Sequence, residues 1–547
     1  MTIESYELRS ASPLAEAYIH RTDQRMDELF GYHPTDASAW GKRLKVLKEN
    51  GHLRADARQV ASVLKSYNER FGASSEVLAS IEALAGGAPV VVGGQQAGLW
   101  TGPLLVIHKA VTIIGAAKHA SAALGAPVVP VFWIAGEDHD WEEANHTYVM
   151  SAEQEQRKLS AARPEGPRTS VSRTSLSQEQ WDELLSELEQ TLPHSEFKAD
   201  LLERLGMAVR RSVSLSDLFA GVMMELFGRS GLILLDADDT RLRKLESPMF
   251  NRLIEQNDEL EQAYTNRART VTSYGYQLQA DVTEGSSNLF YFNSEQGDER
   301  TLLHKREGHY VDRRGTLSLT QEQLLHIAAE APEQLSNNVL TRPLMQDYLL
   351  PVLGTVLGPG EIAYWSITGE AFRTLGMQMP IVIPRMSFTL IEGTVAKHMT
   401  KYELSFEDVA ERFEDRKRAW LEEQDQLSLD ARFSEVKSSF LQLYTPIVEL
   451  AGKVQAGLVK LGETNRQKIV EQIEFLEART KDAYTKQFDA SIRQLDRIGS
   501  SLRPLGKPQE RVANMTAYWN RYGPYGWLDR LLEAPYDPAG GHRLIYL

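Results

Sequence analysis

The sequence contains no cysteine among its 547 residues. This absence excludes disulfide bonds, cysteine nucleophiles, zinc ribbons and iron–sulfur clusters, and any metal site would have to use His, Asp and Glu. It would also suit a protein that handles free thiols, because such a protein must avoid forming mixed disulfides with them.

Long apolar runs and an excess of positive charge are absent too. No run approaches the ~20 residues needed to cross a bilayer, and the N-terminal MTIESYELRSASPL has neither the basic nor the apolar region of a signal peptide. A formal net charge of −15 argues against wholesale binding to nucleic acid or to an anionic membrane. We therefore expect a cytoplasmic protein, and its length indicates two or three domains.

What the sequence does contain is a glycine-rich stretch, APVVVGGQQAGLWTGPLLVIHKA, at residues 88–110. It is typical of a buried strand, a tight turn and a helix start, which can hold phosphate because free N–H groups and the helix dipole favour an anion. Neither a Walker motif nor the dinucleotide fingerprint is present, so a plain glycine turn stays open as the alternative. The candidate residues of this stretch are Gly94, Gln95, Gln96, Gly98, Thr101, Gly102, His108 and Lys109.

Further polar clusters follow other predicted strands. Strands are predicted at 128–135, 232–235, 362–365 and 379–384, alternating with helices, which indicates an α/β fold with a mostly parallel sheet. Ligands bind at the C-terminal edge of such sheets. The candidate residues at that edge are Glu137, Asp138, His139, Asp140, His146, Asp236, Gly360, Glu361 and Arg385.

The chemistry of these side chains indicates roles. His139 has the pKa range of a general base that takes a proton from an attacking amine, and Asp138 could orient it or grip an amino group directly. His108 and Lys109 lie where a cation would meet phosphate or an activated carboxylate. Lys109 as a solvated helix residue is the alternative.

Other candidates leave two interpretations open. Arg342 and Arg385 could each clamp a carboxylate or form a structural ion pair. The histidines after the second strand could hold a divalent metal with nearby carboxylates, but H-E-x-x-H spacing is absent and a metal-free cluster is favoured, so no metal site is predicted. In the aromatic C-terminal tail, Trp519 or Tyr522 could stack on adenine, although docking of the tail on the core is favoured.

Residues 399–505 are predicted to form an antiparallel coiled coil. Apolar residues recur mostly every three or four positions from Phe433 to Leu461, as in a heptad seam. We expect Gly462–Asn465 to form the turn and Pro446 to kink or break the first helix. Such coiled coils most often pair subunits, so a homodimer is expected; a hairpin that packs only on its own chain is the alternative.

The other predicted boundaries follow changes in composition. They are N-terminal helices with the first half of the core at 1–150, a first insertion at 151–230, a core strand at 231–247, a second insertion at 248–335 that starts with a helix at 248–267, the second half of the core at 336–398 and a docking tail at 506–547.

Four blocks resemble one family, in order and over essentially the full length of the chain: VVVGGQQAGLWTGPLLVIHKA, PVFWIAGEDHDWEEANH, RPLMQDYLLPVLGTVLGPGEIAYW and NRYGPYGWLDRLL. They are similar to the cysteine ligase family of bacillithiol biosynthesis (bacillithiol synthase). The resemblance implies a Rossmann-like core with two connecting-peptide insertions and an α-helical coiled coil that mediates dimerisation. It also implies addition of L-cysteine to the glucosamine amine of glucosaminyl-malate through an amide bond.

The resemblance further implies a likeness to class I aminoacyl-tRNA synthetases, in which the loop after the first strand binds ATP. ATP is therefore the expected co-substrate, although the H-x-G-H signature is missing and Arg385-Met386-Ser387 is a faint echo of a K-M-S-K-S loop. Activation of cysteine as an adenylate or as an acyl phosphate stays open. A non-catalytic, nucleotide-binding coiled-coil scaffold is the alternative function.

Overall fold

The computed structural model describes residues 3–424 and 427–547. These residues form two compact units. One contains the chain up to Leu390 together with Gln509–Leu547, and the other contains Ile391–Pro508.

The strands, in chain order, are β1 (Ile3–Tyr6), β2 (Val90–Gln95), β3 (Val129–Ile134), β4 (His146–Met150), β5 (Gln156–Ser160), β6 (Ile233–Asp236), β7 (Ser286–Asn293), β8 (Glu299–Arg306), β9 (His309–Val311), β10 (Ser318–Thr320), β11 (Leu335–Asn337), β12 (Val352–Leu357), β13 (Ile381–Pro384), β14 (Ser387–Ile391) and β15 (His542–Tyr546). The α-helices are α1 (Pro13–Ile19), α2 (Arg25–Phe30), α3 (Ala37–Glu49), α4 (Ala57–Arg70), α5 (Ser75–Ala85), α6 (Leu105–Leu124), α7 (Trp141–Ala144), α8 (Gln178–Thr191), α9 (Lys198–Arg210), α10 (Leu215–Phe227), α11 (Thr240–Glu255), α12 (Asn257–Ser273), α13 (Gln321–Glu330), α14 (Arg342–Leu349), α15 (Pro359–Trp365), α16 (Gly369–Thr374), α17 (Gly393–Lys401), α18 (Phe406–Glu411), α19 (Phe413–Glu423), α20 (Leu429–Val454), α21 (Gly457–Thr485), α22 (Asp489–Leu502), α23 (Met515–Gly526) and α24 (Leu528–Leu532).

A five-stranded parallel sheet forms the centre of the first unit, in the order β13-β12-β2-β3-β6. Its strands are buried along nearly their whole length, which explains their continuous apolar runs. In chain order, β2, β3 and β6 lie side by side in one direction across the sheet. Strands β12 and β13 come later in the chain and lie on the other side of β2. The predicted parallel α/β core is confirmed, and its strand order reverses between β2 and β12, where such sheets bind ligands.

Two insertions interrupt the sheet. The first, between β3 and β6, contains the antiparallel β4–β5 ribbon and helices α7–α10. The second, between β6 and β12, contains helices α11–α14 and an antiparallel sheet in the order β10-β9-β8-β7-β11. The β element predicted within the second insertion is therefore confirmed.

The strand predicted at 362–365 is wrong, because these residues belong to helix α15. Pro359 lies in the first turn of α15, and the Glu361 carboxylate accepts a hydrogen bond from the Gly358 N–H at 2.8 Å. Both features start a helix. The strand of this region is β12, which ends directly before Gly358.

The single helix predicted at 248–267 is also wrong. The structure has two helices, α11 and α12, which are separated at Gln256. Pro248 lies inside α11 instead of opening a helix.

In the second unit, α20 and α21 form an antiparallel hairpin. Lys437 of α20 donates to Glu477 of α21 at 2.9 Å. The turn lies at Gln455 and Ala456, so the predicted turn at Gly462–Asn465 is wrong. Gly462 lies inside α21, where an added Cβ would come within 3.0 Å of the Val448 side chain, so glycine here permits close helix packing. The helix continues through Pro446, which does not end it.

The C-terminal tail belongs to the first unit, as predicted. Strand β15 pairs with β1, and Asn514 forms a β-bridge with Pro103. The Leu104 N–H donates to the Ala513 carbonyl at 2.9 Å. The tail therefore packs against the glycine-rich loop itself.

Within residues 3–424 and 427–547, no helix has both the length and the apolar character needed to cross a membrane.

Candidate functional site

A cavity of about 580 Å³ opens at the switch point between β2 and β12. Its walls come from the turn after β2, the start of α6, the α7–β4 segment, the turn after β12 and the tail. Of the residues predicted from sequence, it brings together Gln95, Gln96, Gly98, Thr101, Lys109, His146, Gly360, Glu361 and Arg385. Residues not predicted also line it, among them Glu143, Thr147, Tyr148, Gln279, Tyr364 and Arg511.

Three buried polar side chains in the cavity wall have no hydrogen-bond partner within the described residues. They are Gln96, at both amide atoms, and the hydroxyls of Thr101 and Thr147. Their exposures are 7%, 0% and 2%. An unpaired buried polar group costs roughly 1–3 kcal/mol, and the described residues supply no partner for these three side chains.

The glycine-rich loop is held in a strained shape by the tail. Trp100 (φ 50°) and Thr101 (φ 72°) have left-handed backbone conformations, which cost roughly 1–3 kcal/mol each in a non-glycine residue. The Asn514 side-chain amide donates to the carbonyls of Trp100 at 2.9 Å and Gly102 at 2.7 Å. An added Cβ on Gly98 would lie 2.9 Å from the Gly102 Cα, so glycine is required for this loop to close.

Helix α6 begins at the cavity wall. Leu105 and Val106 of its first turn line the cavity, and the preceding Leu104 provides no side-chain cap. An uncapped helix N-terminus attracts an anion through its dipole and N–H groups. Phosphate binding at this loop stays a prediction.

Lys109 is a buried cation whose donors are already used. Its Nζ donates to the Gly94 carbonyl at 2.6 Å, to Gln95 Oε1 at 3.0 Å and to Glu361 Oε2 at 2.6 Å. Burial lowers the pKa of Lys109 below its ordinary value, and the Glu361 carboxylate opposes that shift. The solvated-residue alternative for Lys109 is therefore wrong, since only 1% of the residue is exposed.

Arg385 is committed to an ion pair. Its guanidinium donates to both carboxylate oxygens of Glu510, at 2.7 and 2.6 Å. His108 Nδ1 donates to the same carboxylate at 2.9 Å. Burial acts to raise the pKa of Glu510, but Arg385 and these hydrogen bonds outweigh it and hold the pKa well below its ordinary value. The structure thus favours the ion-pair interpretation of Arg385.

His139 and Asp138 do not line the cavity. Arg300 donates from Nη1 to His139 Nδ1 at 2.9 Å, so Nδ1 must be the acceptor and the ring is neutral with its proton on Nε2. Burial, and then the Arg300 charge, lower the pKa of His139. In this arrangement neither ring nitrogen of His139 is free to take a proton.

The remaining acidic candidates stabilise the sheet edge around the cavity without lining it. The Glu137 carboxylate accepts from buried Arg243. Asp236 accepts from the Ser172 hydroxyl at 2.6 Å, and burial raises the pKa of Asp236 to about 7. Asp140 caps α7. Across the part of the chain that the structure describes, no three His, Asp or Glu side chains are grouped to hold a metal ion.

Arg342 and the aromatic candidates lie behind the cavity wall. Arg342 donates to the Tyr364 hydroxyl at 2.8 Å, and Tyr364 lines the cavity. Trp519 is fully buried in the core, and Tyr522 packs against that core. The structure therefore gives no support to adenine stacking on Trp519 or Tyr522 at this cavity.

The most informative residues that sequence reasoning missed come from the tail and from β4. Arg511 and Asn514 precede the aromatic residues of the tail and belong to no motif. Only the tertiary structure, in which the tail packs on the first unit, reveals their position. Thr147 and Glu143 stand beside His146 in WEEANHTYV, and the strand alternation that begins at His146 was the available signal.

Fold and cavity together define a Rossmann-like α/β protein with a crevice at its switch point and an inserted helical hairpin. Two family profiles match this chain: "Bacillithiol biosynthesis BshC, N-terminal Rossmann-like domain" over residues 1–386, and "Bacillithiol biosynthesis BshC, C-terminal coiled-coil domain" over residues 388–547. The chain therefore belongs to the BshC family of bacillithiol biosynthesis.

Curated relatives cover the chain almost completely. A protein named "Putative cysteine ligase BshC" from Bacillus cytotoxicus is 35% identical over 96% of this chain and 97% of its own length. Proteins of the same name from Bacillus cereus and from a Geobacillus species are 37% and 34% identical, and the latter match covers the whole of both chains.

Replacing Asn514 with Ala should loosen the glycine-rich loop, because the carbonyls of Trp100 and Gly102 lose their donor. Hydrogen–deuterium exchange should rise in peptides covering residues 96–104. Asn514 also caps α23, so Ser214→Ala, which removes the buried cap of α10, is the matched control. Loss of either cap should lower the free energy of unfolding by about 1 kcal/mol. Equal exchange at 96–104 in both variants would refute the bracing role.

Proposed function

We propose that the protein is a cysteine ligase of bacillithiol biosynthesis, which joins L-cysteine to the glucosamine amine of glucosaminyl-malate to give bacillithiol. The nearly full-length similarity to relatives named as cysteine ligases supports this activity. The observation that carries it in the structure is the cavity at the switch point, with the unpartnered polar groups of Gln96, Thr101 and Thr147 in its wall.

Amide formation from a free carboxylate and an amine is uphill in water, so the cysteine carboxylate requires activation. A nucleoside triphosphate would supply a phosphoryl or nucleotidyl leaving group. The uncapped start of α6 supports ATP as that co-substrate, with its phosphates beside the Gly98–Pro103 loop. An adenylate and an acyl phosphate are both compatible with this arrangement.

Arg511 is the cation that we assign to the acidic part of the substrates. Lys109 is paired with Glu361 and Arg385 with Glu510 at short distances, whereas the Arg511 side chain is 53% exposed and lies 3.9 Å from Glu510. Arginine binds carboxylates and phosphates through two parallel hydrogen bonds. The malate carboxylates and the ATP phosphates are the anions that this site would meet.

A homodimer through the helical hairpin is part of the proposal. Apolar side chains of α20 remain exposed at heptad-like spacing: Val436 53%, Leu443 74%, Ile447 57%, Leu450 62% and Val454 79%. On α21, Leu461, Phe475 and Leu476 are exposed as well. Exposed apolar stripes of this kind are typical of helices that pair with a second copy.

Incubation of the purified protein with L-cysteine, glucosaminyl-malate and ATP should yield bacillithiol, detected by mass spectrometry. Omission of ATP should abolish the product. A deletion strain should lack bacillithiol and regain it on complementation. Unchanged bacillithiol in the deletion strain would refute the ligase proposal and favour the non-catalytic nucleotide-binding scaffold.

Replacement of Thr147 by Val should separate stability from substrate binding. Without substrate the variant should unfold at the same temperature or higher, because an unsatisfied buried hydroxyl has been removed. The KM of the substrate that Thr147 contacts should rise about tenfold, which is the loss of one hydrogen bond. Thermal unfolding and steady-state kinetics provide the two measurements. A destabilised protein with unchanged KM values would contradict the assignment.

Leu443→Asp should convert the dimer into a monomer, because it places a charge in the centre of the α20 stripe. Analytical ultracentrifugation measures the change. Gln442→Asp is the matched control, since Gln442 is exposed and points about 100° away around the same helix. A wild-type protein that sediments as a monomer would rule out this interface.

A further inference from the structure

The proposed ligation releases a proton from the amine, and a general base must accept it. The sequence indicates His139 for this role, whereas the structure favours His146. We propose that His146 is the general base of the reaction, with its Nε2 accepting the proton as the amide bond forms. This inference rests on the proposed function and deepens it by assigning the proton transfer.

The hydrogen bonds of His146 select its tautomer. Its Nδ1 lies 2.9 Å from the Glu142 carbonyl and 3.2 Å from Asn145 Oδ1. The orientation of the Asn145 amide is set by its Nδ2, which donates to the Ala161 carbonyl at 3.1 Å. Both neighbours of Nδ1 are acceptors, so Nδ1 carries the hydrogen and Nε2 keeps its lone pair. Within residues 3–424 and 427–547, Nε2 has no hydrogen-bond partner, and the residue lines the cavity.

The other two histidines of this region have different arrangements. Arg300 occupies Nδ1 of His139, so the remaining nitrogen of His139 bears the proton and cannot take another. His108 has an unpartnered Nε2, but its ring is fully buried behind the cavity wall and packs on Phe388. His146 alone among these three combines a place in the cavity wall with an available lone pair.

The surroundings of His146 keep the ring neutral. Burial, and then the Lys158 charge on β5, lower the pKa of His146 below its ordinary value. The other groups near the ring are Glu142 on α7, Glu143 in the cavity wall and the Tyr148 ring, whose centroid lies 5.8 Å away. Burial raises the pKa of Glu143 above its ordinary value.

The lone pair of the neutral amine attacks the activated carboxyl carbon of cysteine, and a carbon–nitrogen bond forms. The amine proton moves to His146 Nε2. The bond from the carboxyl carbon to the phosphoryl-containing leaving group, derived from the nucleoside triphosphate, breaks with its electron pair on the leaving oxygen. The imidazolium then releases its proton to solvent through the cavity.

His146→Asn tests this assignment because the asparagine amide can keep the donor to the Glu142 carbonyl while Nε2 is lost. The kcat for bacillithiol formation should fall about 100-fold or more, whereas the KM for cysteine and ATP should change little. His309→Asn is the matched control. His309 also begins a strand, β9, and donates from Nδ1 to a backbone carbonyl, that of Glu307 at 3.2 Å, but it is exposed and outside the cavity. Its kcat should equal that of the wild type.

The pH profile provides a readout that a structural role would not change. His146 acts as a base only when unprotonated, so the wild-type kcat should be at its plateau at neutral pH. It should fall about tenfold per pH unit below the lowered pKa of His146. This acid limb should be absent in His146→Asn, whose residual rate no longer depends on that ring.

The outcomes are distinct. A wild-type kcat and an unchanged acid limb in His146→Asn overturn the base assignment and leave the ligase proposal standing. A wild-type protein that forms no bacillithiol refutes the ligase proposal, and the base assignment falls with it. Should His146→Asn fail to fold, His146→Gln replaces it. A wild-type profile without an acid limb overturns the assignment whichever variant folds.

Discussion

The buried ammonium of Lys109 ties the two sides of the ligand crevice to each other. Lys109 lies on α6 and bonds the Gly94 carbonyl at the end of β2 and the Glu361 carboxylate that follows β12. The same carboxylate accepts the Gly358 N–H and so starts α15. An unpaired buried charge costs several kcal/mol, so neither wall of the switch point can move independently of the other. The Lys109–Glu361 ion pair therefore links the two sides of the cavity.

The C-terminal tail also contributes side chains to the walls of the cavity and to the residues behind them. Glu510 bonds Arg385 and His108, and Asn514 braces the glycine-rich loop through two backbone carbonyls. By sequence, the family is divided near residue 387, with the tail assigned to the coiled-coil domain. By packing, the tail from Gln509 onwards is part of the Rossmann-like unit. The helical hairpin is therefore inserted in the sequence between two segments of one domain. The residues that line the cavity all belong to that domain.

Hydrogen bonding at the ring nitrogens distinguishes histidines that look alike in sequence. His139 follows a buried strand in the most charged stretch of the chain, which made it the natural candidate for a base. Arg300, from a distant strand of the second insertion, occupies its acceptor nitrogen. His146 is seven residues further on, and its local contacts with the Glu142 carbonyl leave the opposite nitrogen unprotonated.

The sequence alone determined the parallel core, the two insertions and the helical hairpin, and it predicted a ligand at the C-terminal edge of the sheet. These follow from local patterns, because apolar runs, glycine turns and heptads reflect burial of the segment that carries them. The strand expected at 362–365 and the turn expected at Gly462–Asn465 were wrong, because Pro and Gly there serve a helix start and a close helix contact. Only the tertiary structure decided which polar residues meet. Arg300, Glu510 and Asn514 contact the edge from distant parts of the chain, and whether a buried charge is free or paired depends on partners that no local pattern contains.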